Sequence, residues 1–320
     1  MLRGSAMLGR TANGIFWMFR YLERAKNTAR LLDAGFRLAL THGPNETNGE
    51  WQSLLVTIGQ DEAYLAHHDD YDGQHVTDWI LRGKDNPNSV LAMIENARSN
   101  ARAVRTALTR EVWEATNETW MVLRDRFSRP IKSSNLGETL AVIRRQSTLV
   151  RGAMDVTMLR NEIYNFARIG SFIERADNTA RILDVKYYLL LPAVSLVGSS
   201  LDDVQWETIL RSVSADRAYR WLHSGKLDAR GIASFMMLDE RFPRSLAFCY
   251  SKVRSNMAGL TREYGAETQS HELVRSTVNK LHEADINSIF DYGLHQYIGD
   301  FLAENQQVAD AISRDYRFVA

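Results

Sequence analysis

Leu22-Glu23-Arg24-Ala25-Lys26-Asn27-Thr28-Ala29-Arg30-Leu31-Leu32-Asp33 returns 151 residues later as Ile173-Glu174-Arg175-Ala176-Asp177-Asn178-Thr179-Ala180-Arg181-Ile182-Leu183-Asp184, identical at nine of twelve positions. Neither copy contains proline or glycine, and the apolar residues Leu22, Ala25, Ala29 and Leu32 recur three and four apart. That is the period of one face of an α-helix rather than the alternation of a strand. So close a match across such a distance is the mark of an internal repeat, which governs the reading of everything around it.

The correspondence continues outward more faintly. Trp51-Gln-Ser-Leu-Leu answers to Trp206-Glu-Thr-Ile-Leu, Pro87 and Ser89 to Pro243 and Ser245, and Arg98-Ser99-Asn100 to Arg254-Ser255-Asn256. The offset drifts from 151 to 156, as small loop insertions after a tandem duplication would leave it. The expected organisation is a single unit over residues 1–320 made of two repeats, about 1–150 and 151–320, related by a pseudo-two-fold axis. Repeats of this kind bury their apolar faces against each other and need not fold separately.

Only five prolines interrupt the chain, Pro44, Pro87, Pro130, Pro192 and Pro243. The spacing predicts a first helix from about Leu8 to Thr41, ended by Gly43-Pro44, with Pro192 ending its second-half equivalent. Val90, Leu91, Met93, Ile94, Ala97, Ala101, Val104 and Leu108 mark one face of another helix. The proline-free stretch Leu136 to Leu191 reads as two helices with a break near Gly152. No alternating strand pattern bounded by hairpin turns is seen. The fold class is all-α, an internally duplicated helical bundle.

On a helix turning about 100° per residue, Arg20, Glu23, Arg24, Asn27 and Arg30 gather within an arc of about 120°, opposite the core stripe. Glu174, Arg175, Asn178 and Arg181 take the same places in the second half, while Ser171 replaces Arg20. A solvated face laced with ion pairs would look similar. Yet these polar identities persist between halves that have otherwise diverged, and Phe16 and Leu31 fall inside the arc. Both stripes are therefore expected to face the interior or a cleft. Buried charges there must be paired and hydrogen-bonded, and arginine's five fixed donors allow a two-pronged grip on a carboxylate, of Glu23 by Arg30 or Arg24 for instance. Two readings stand side by side. In one, the glutamate of each half is satisfied by an arginine of the other, locking the halves together. In the other, surplus arginines leave a site for a carboxylate or phosphate. Arg98 and Arg254 read as arginines snorkelling along the core edge, or as reaching the Glu23 and Glu174 networks.

The remaining composition mostly excludes. Thirty-nine basic residues balance thirty-nine acidic ones, so no overall field favours nucleic acid or an anionic membrane. No apolar run approaches the roughly 18 residues of a membrane span, and the arginines near the start precede no apolar core, so a cytoplasmic setting is expected. The only cysteine, Cys249, excludes an internal disulfide and reads as a small buried residue. His67-His68-Asp69-Asp70-Tyr71-Asp72-Gly73-Gln74-His75 reads as a polar loop without recognisable metal-ligand spacing. With no Glu-x-x-His, no phosphate-binding Gly-rich loop and no Gly-x-Ser-x-Gly, the sequence assigns no cofactor or metal. The seven tryptophans, among them Trp51, Trp79, Trp113 and Trp206, read as core anchors.

The Glu-Arg pair in a long helix, Glu23-Arg24 and again Glu174-Arg175, resembles the hallmark of the bacterial alpha-E domain family. Phe16 to Ala25 is similar to that family's opening segment and Thr157-Met158 through Ala176 to its central one. Asn86-Pro87-Asn88-Ser89, followed by Arg98, Arg102, Glu111 and Trp113, fits as well. The resemblance implies a helical protein of uncertain activity that keeps company with circularly permuted ATP-grasp ligases and transglutaminase-like proteins. The expectation it carries is a non-catalytic or co-catalytic partner in a system that forms or modifies peptide or amide bonds, bound to such a ligase, such a transglutaminase-like protein or their product. Room is left for a homo-oligomer. The alternatives are an enzyme with Glu23 or Glu174 as general base and Arg30 or Arg181 holding a substrate carboxylate, or a purely structural scaffold.

Overall fold

The computed structural model describes residues 9–39, 48–189, 200–223 and 227–318. Among the described residues there are fifteen α-helices, one short 3-10 turn and no strands. In chain order they are α1 (Gly9–Ala39), α2 (Asn48–Thr57), α3 (Asp61–Leu65), α4 (Gly73–Arg82), α5 (Val90–Ala103), α6 (Arg110–Arg126), α7 (Ser133–Thr157), α8 (Glu162–Leu189), α9 (Ser200–Ser212), α10 (Asp216–Leu222), α11 (Ala229–Leu238), α12 (Leu246–Tyr264), α13 (Gln269–Glu283), α14 (Ile286–Tyr292) and α15 (Leu294–Asp315). The protein is all-α, and no described helix is long and apolar enough to cross a membrane.

The two long helices that carry the matched segments, α1 and α8, pack along each other at the centre. Their approach is close because Gly170 lacks a side chain: a Cβ there would lie 2.5 Å from the carbonyl oxygen of Phe16. Around them α1 packs on α5, α7 and α2, and α8 packs on α12, α15 and α9. Helix α6 bridges α5 and α7, and α13 bridges α12 and α15. Two further contacts run across the centre, α1 against α9 and α2 against α8.

The recurring Pro-x-Ser explains itself locally. Ser89 and Ser245 are the N-caps of α5 and α12, their hydroxyls accepting from the backbone N–H of Ala92 and Phe248. Each satisfies one of the orphan donors at the start of its helix. Gly152 does not break the chain, because it sits exposed inside α7 while Val150 and Met154 carry the buried face straight past it. The real break lies at Met158–Asn161, where Met158 turns extended and the Asn161 side chain accepts from the Tyr164 N–H at the start of α8. Pro44 and Pro192 lie outside the described residues. Trp51, Trp79 and Trp206 are buried, but Trp221 is 84% exposed and anchors no core.

Candidate functional site

The Glu-Arg stripes of α1 and α8 meet face to face, and each glutamate is gripped by the arginine of the opposite segment. Arg175 donates through Nε and Nη2 to both oxygens of Glu23, at 2.9 and 3.1 Å. Reciprocally, Arg24 donates through Nε and Nη2 to both oxygens of Glu174, at 2.5 and 2.9 Å. The crossing follows from helix geometry: residues i and i+1 diverge by about 100°, so a glutamate cannot use its own neighbour but finds the neighbour's counterpart on the facing helix. Phe16 and Leu31, the apolar members of the polar arc, are buried in the same seam.

Each carboxylate then receives further cations. Arg20 donates through Nε to Glu174 at 3.0 Å and lies over the Trp17 ring. On the other side Arg244 donates through Nη2 to Glu23 at 3.4 Å and through Nη1 to Asn27 Oδ1 at 3.1 Å, and Arg151 Nη1 stands 4.0 Å from Glu23. The Pro243 carbonyl accepts from Arg175, and the Arg244 carbonyl accepts from Thr179. The capped turn before α12 is thus tied directly into the clamp.

Burial alone would push both carboxyls up. At Glu23 the charges of Arg175, Arg244 and Lys26 outweigh it, and at Glu174 those of Arg24 and Arg20 do, so both are held well below the usual carboxylate range. The guanidiniums of Arg24 and Arg175 would be lowered by burial but are raised by the carboxylates they hold. Carboxylates this firmly ionised and this fully occupied by donors are weak proton acceptors, whereas a general base works best with a pKa near the working pH. The chemistry available at the clamp itself is cohesion.

The other expected site residues divide. Arg30 grips neither glutamate but reaches sideways to the Ser212 carbonyl at 3.0 Å and the Ser214 hydroxyl at 2.7 Å. Arg181 is held by Asp177 of its own helix at 2.7 Å. Asn178 is buried in the seam with Oδ1 unpartnered, as is Nδ2 of Asn27. Arg98 reaches neither network, since its guanidinium donates to Asn117 Oδ1 at 2.7 Å and stacks on Trp120. Arg254 is exposed beside Glu240 and His282. The residues that sequence reasoning missed are Arg244, Arg151 and Lys26. Arg244 sits inside the repeated Pro-x-Ser turn, and Lys26 is the single charge reversal within the matched twelve residues.

A cleft of about 200 Å³ opens beside Glu174, lined among others by Arg20, Arg24, Asn27, Asn178 and Arg181. A larger and shallower groove of about 1010 Å³ runs past His67, His68 and His75. There His68 stacks on Tyr64, and His67 and His68 flank Trp79.

Comparison with known proteins places this arrangement in context. The uncharacterized proteins Mb2597 of Mycobacterium bovis and MT2643 of Mycobacterium tuberculosis are each 23% identical to the chain over 320 residues, and Rv2567 of Mycobacterium tuberculosis is 22% identical. In each case the alignment takes in 92% of this chain but only 35% of the relative. The chain therefore spans about a third of the length of the curated relatives it matches. No solved structure matches it. Residues 7–317 match the model of Alpha-E, a predicted alpha-helical domain with a conserved ER motif, and with two Glu-Arg pairs gripping each other across its central helices the chain belongs to that family.

Proposed function

We propose that this protein is a non-catalytic or co-catalytic helical partner in a system that forms or modifies peptide or amide bonds, working in the cytoplasm with an ATP-grasp-type ligase or a transglutaminase-like protein. The observation that carries the reading is the reciprocal clamp: both Glu-Arg pairs are consumed in holding α1 to α8, which leaves the motif a structural task and moves function to the outer surface. The mycobacterial relatives support it, because there the equivalent stretch is joined to roughly twice its own length of further chain. The outer surface offers a docking face for such a partner at the end of α7, where Val156 is 85% and Leu159 76% exposed with Leu149 on the same side. Apolar surface grouped in this way is typical of interaction sites.

We further propose that the single unit over residues 1–320 is two repeats, about 1–150 and 151–320, related by a pseudo-two-fold axis. Its support is the matched order of helices, in which α1, α2, α5, α6 and α7 find their neighbours as α8, α9, α12, α13 and α15 do, together with the crosswise pairing.

The test is purification of the tagged protein from its native cell beside a Val156→Glu/Leu159→Glu variant and a Glu174→Gln variant of verified helicity. Co-purification of a ligase or transglutaminase-like protein with wild type, and its loss from the α7 variant, is the expected result. Absence of both classes from a monodisperse wild type would sink the partner reading. The cleft beside Glu174 favours a second reading, an enzyme acting on a carboxylate-bearing or peptide substrate held by Arg181. Turnover abolished by Arg181→Gln with the helices intact would establish it. With neither partner nor turnover, the protein is a scaffold.

A further inference from the structure

The two matched segments differ in charge at one position, where Lys26 stands in the first and Asp177 in the second. The consequence is large. Beside Glu174, Asp177 neutralises Arg181. Beside Glu23, Lys26 cannot do the same for Arg30, which among the described residues finds only neutral oxygens and keeps a buried Nε without a partner. The turn before α12 adds Arg244 where the turn before α5 has Asn88. One carboxylate, Glu23, is thus surrounded by Arg175, Arg244, Arg151, Lys26 and Arg30.

Arg175 already occupies both Glu23 oxygens. Lys26 is buried and donates to the Thr148 hydroxyl at 2.8 Å, with no carboxylate partner among the described residues. The acids nearby are engaged elsewhere: Asp33 faces Arg37 and Arg144, and Asp155 faces Arg168 and Tyr164. Burial, then repulsion among these like charges, lowers Lys26, Arg30, Arg151 and Arg244 against the pull of Glu23, while Arg175, which holds that carboxylate, is raised. Lys26 falls to about 7, Arg244 to about 9 and Arg30 to about 10, and Arg151 is lowered as well. The ordinary resolution of uncompensated buried charge is a counter-ion.

We propose that Lys26, Arg30, Arg151 and Arg244 form a binding site for a phosphoryl dianion, seated between α1, α7 and the turn before α12. The α7 edge of the cluster meets solvent, since Thr148 is exposed and the Arg151 side chain is 30% exposed. A single planar carboxylate is satisfied by one guanidinium fork, as Glu23 is by Arg175. A tetrahedral group with two charges and several acceptor oxygens suits donors drawn from three separate elements around Glu23. Free phosphate and a phosphate monoester share that chemistry.

The test is isothermal titration of the full chain at pH 6.5 with inorganic phosphate, with phosphoserine as a monoester, and with acetate, all at equal ionic strength in chloride and with both phosphate affinities expressed per dianion. We expect one site for phosphate or phosphoserine, tighter than acetate by at least tenfold, and weakened at least tenfold by Lys26→Gln and by Arg151→Gln. Arg98→Gln, remote from the cluster, should leave it unchanged. Tighter binding of phosphoserine identifies a monoester as the ligand, and equal or weaker binding identifies the free ion. No heat with either phosphate, equal affinity for acetate, or unaltered binding in Arg151→Gln would each overturn the proposal. Should Lys26→Gln fail to fold by circular dichroism, the partly exposed Arg151 decides.

Discussion

Glu23 should couple to Arg175, 152 positions away, and hardly at all to Arg24, its covalent neighbour. The perturbation is Glu23→Gln, with Arg175→Met and Arg24→Met, singly and in the two pairs. Glu23→Gln leaves Arg175 and Arg244 buried without their carboxylate. Removing one member of a buried ion pair costs about 3–5 kcal/mol, and both Glu23 oxygens are occupied here, so the upper half of that range is expected. With an unfolding entropy of about 2.1 cal/mol/K per residue, a loss of about 4 kcal/mol lowers the melting midpoint of 320 residues by roughly 6 °C. The assay is urea unfolding followed by far-ultraviolet circular dichroism, with free energies assembled into two double-mutant cycles. For Glu23 with Arg175 the coupling should reach about 2–3 kcal/mol, the range of residues sharing one network. For Glu23 with Arg24 it should stay below about 0.5 kcal/mol, because Arg24 spends its donors on Glu174. Equal couplings in the two cycles, or a larger one for the covalent neighbours, would refute the crosswise arrangement and with it the account of why the motif occurs twice.

Three further outcomes follow from the same packing. Lys26, held near 7 in the fold against 10.5 for a free lysine, is protonated in both states below pH 7 but only in the unfolded chain between about 7 and 10.5; stability therefore rises with pH across that window, and Lys26→Met should flatten the rise in denaturant midpoint measured from pH 7 to 10. Gly170→Ala forces a Cβ against the Phe16 carbonyl and should destabilise by more than about 2 kcal/mol, in the range of an overpacked core, whereas Gly152→Ala on the exposed face of α7 should be neutral or stabilising in the same urea titration. Burial raises the Cys249 thiol to about 12, so a thiol-reactive chromogen should label it in guanidinium and leave it untouched in the native protein.

The all-α class was legible because helical periodicity is a local property, written in Leu22, Ala25, Ala29 and Leu32 and in the face from Val90 to Val104. The break near Gly152 was misplaced for a physical reason. A glycine inside a helix costs only about 1 kcal/mol relative to alanine, less than the buried face of α7 supplies in passing it. The clamp was legible as a stripe of charges that had to be paired, but the partners were not. Arg24, Arg30, Arg98 and Arg254 are equally plausible by residue type, and only the crossing of α1 with α8 selects among them. Arg98 illustrates the loss: Trp120 of α6 gives its guanidinium a face to stack on, and Asn117 an acceptor, away from both glutamates. Arg244 was hidden because its role depends on a proline-serine turn meeting α8 from another part of the chain, which no local pattern announces.

The reciprocal grip also sets an order of events at the ribosome. Arg20, Glu23 and Arg24 are made about 150 residues ahead of their partners Glu174 and Arg175. At the usual 5–20 residues per second of synthesis, the motif of α1 waits roughly 8 to 30 seconds for its partner. During that interval the apolar flanks of α1 have only α2, α5 and α7 to cover them. The α1–α8 seam can close only once α8 has been delivered, so the reciprocal grip is a contact completed late in synthesis.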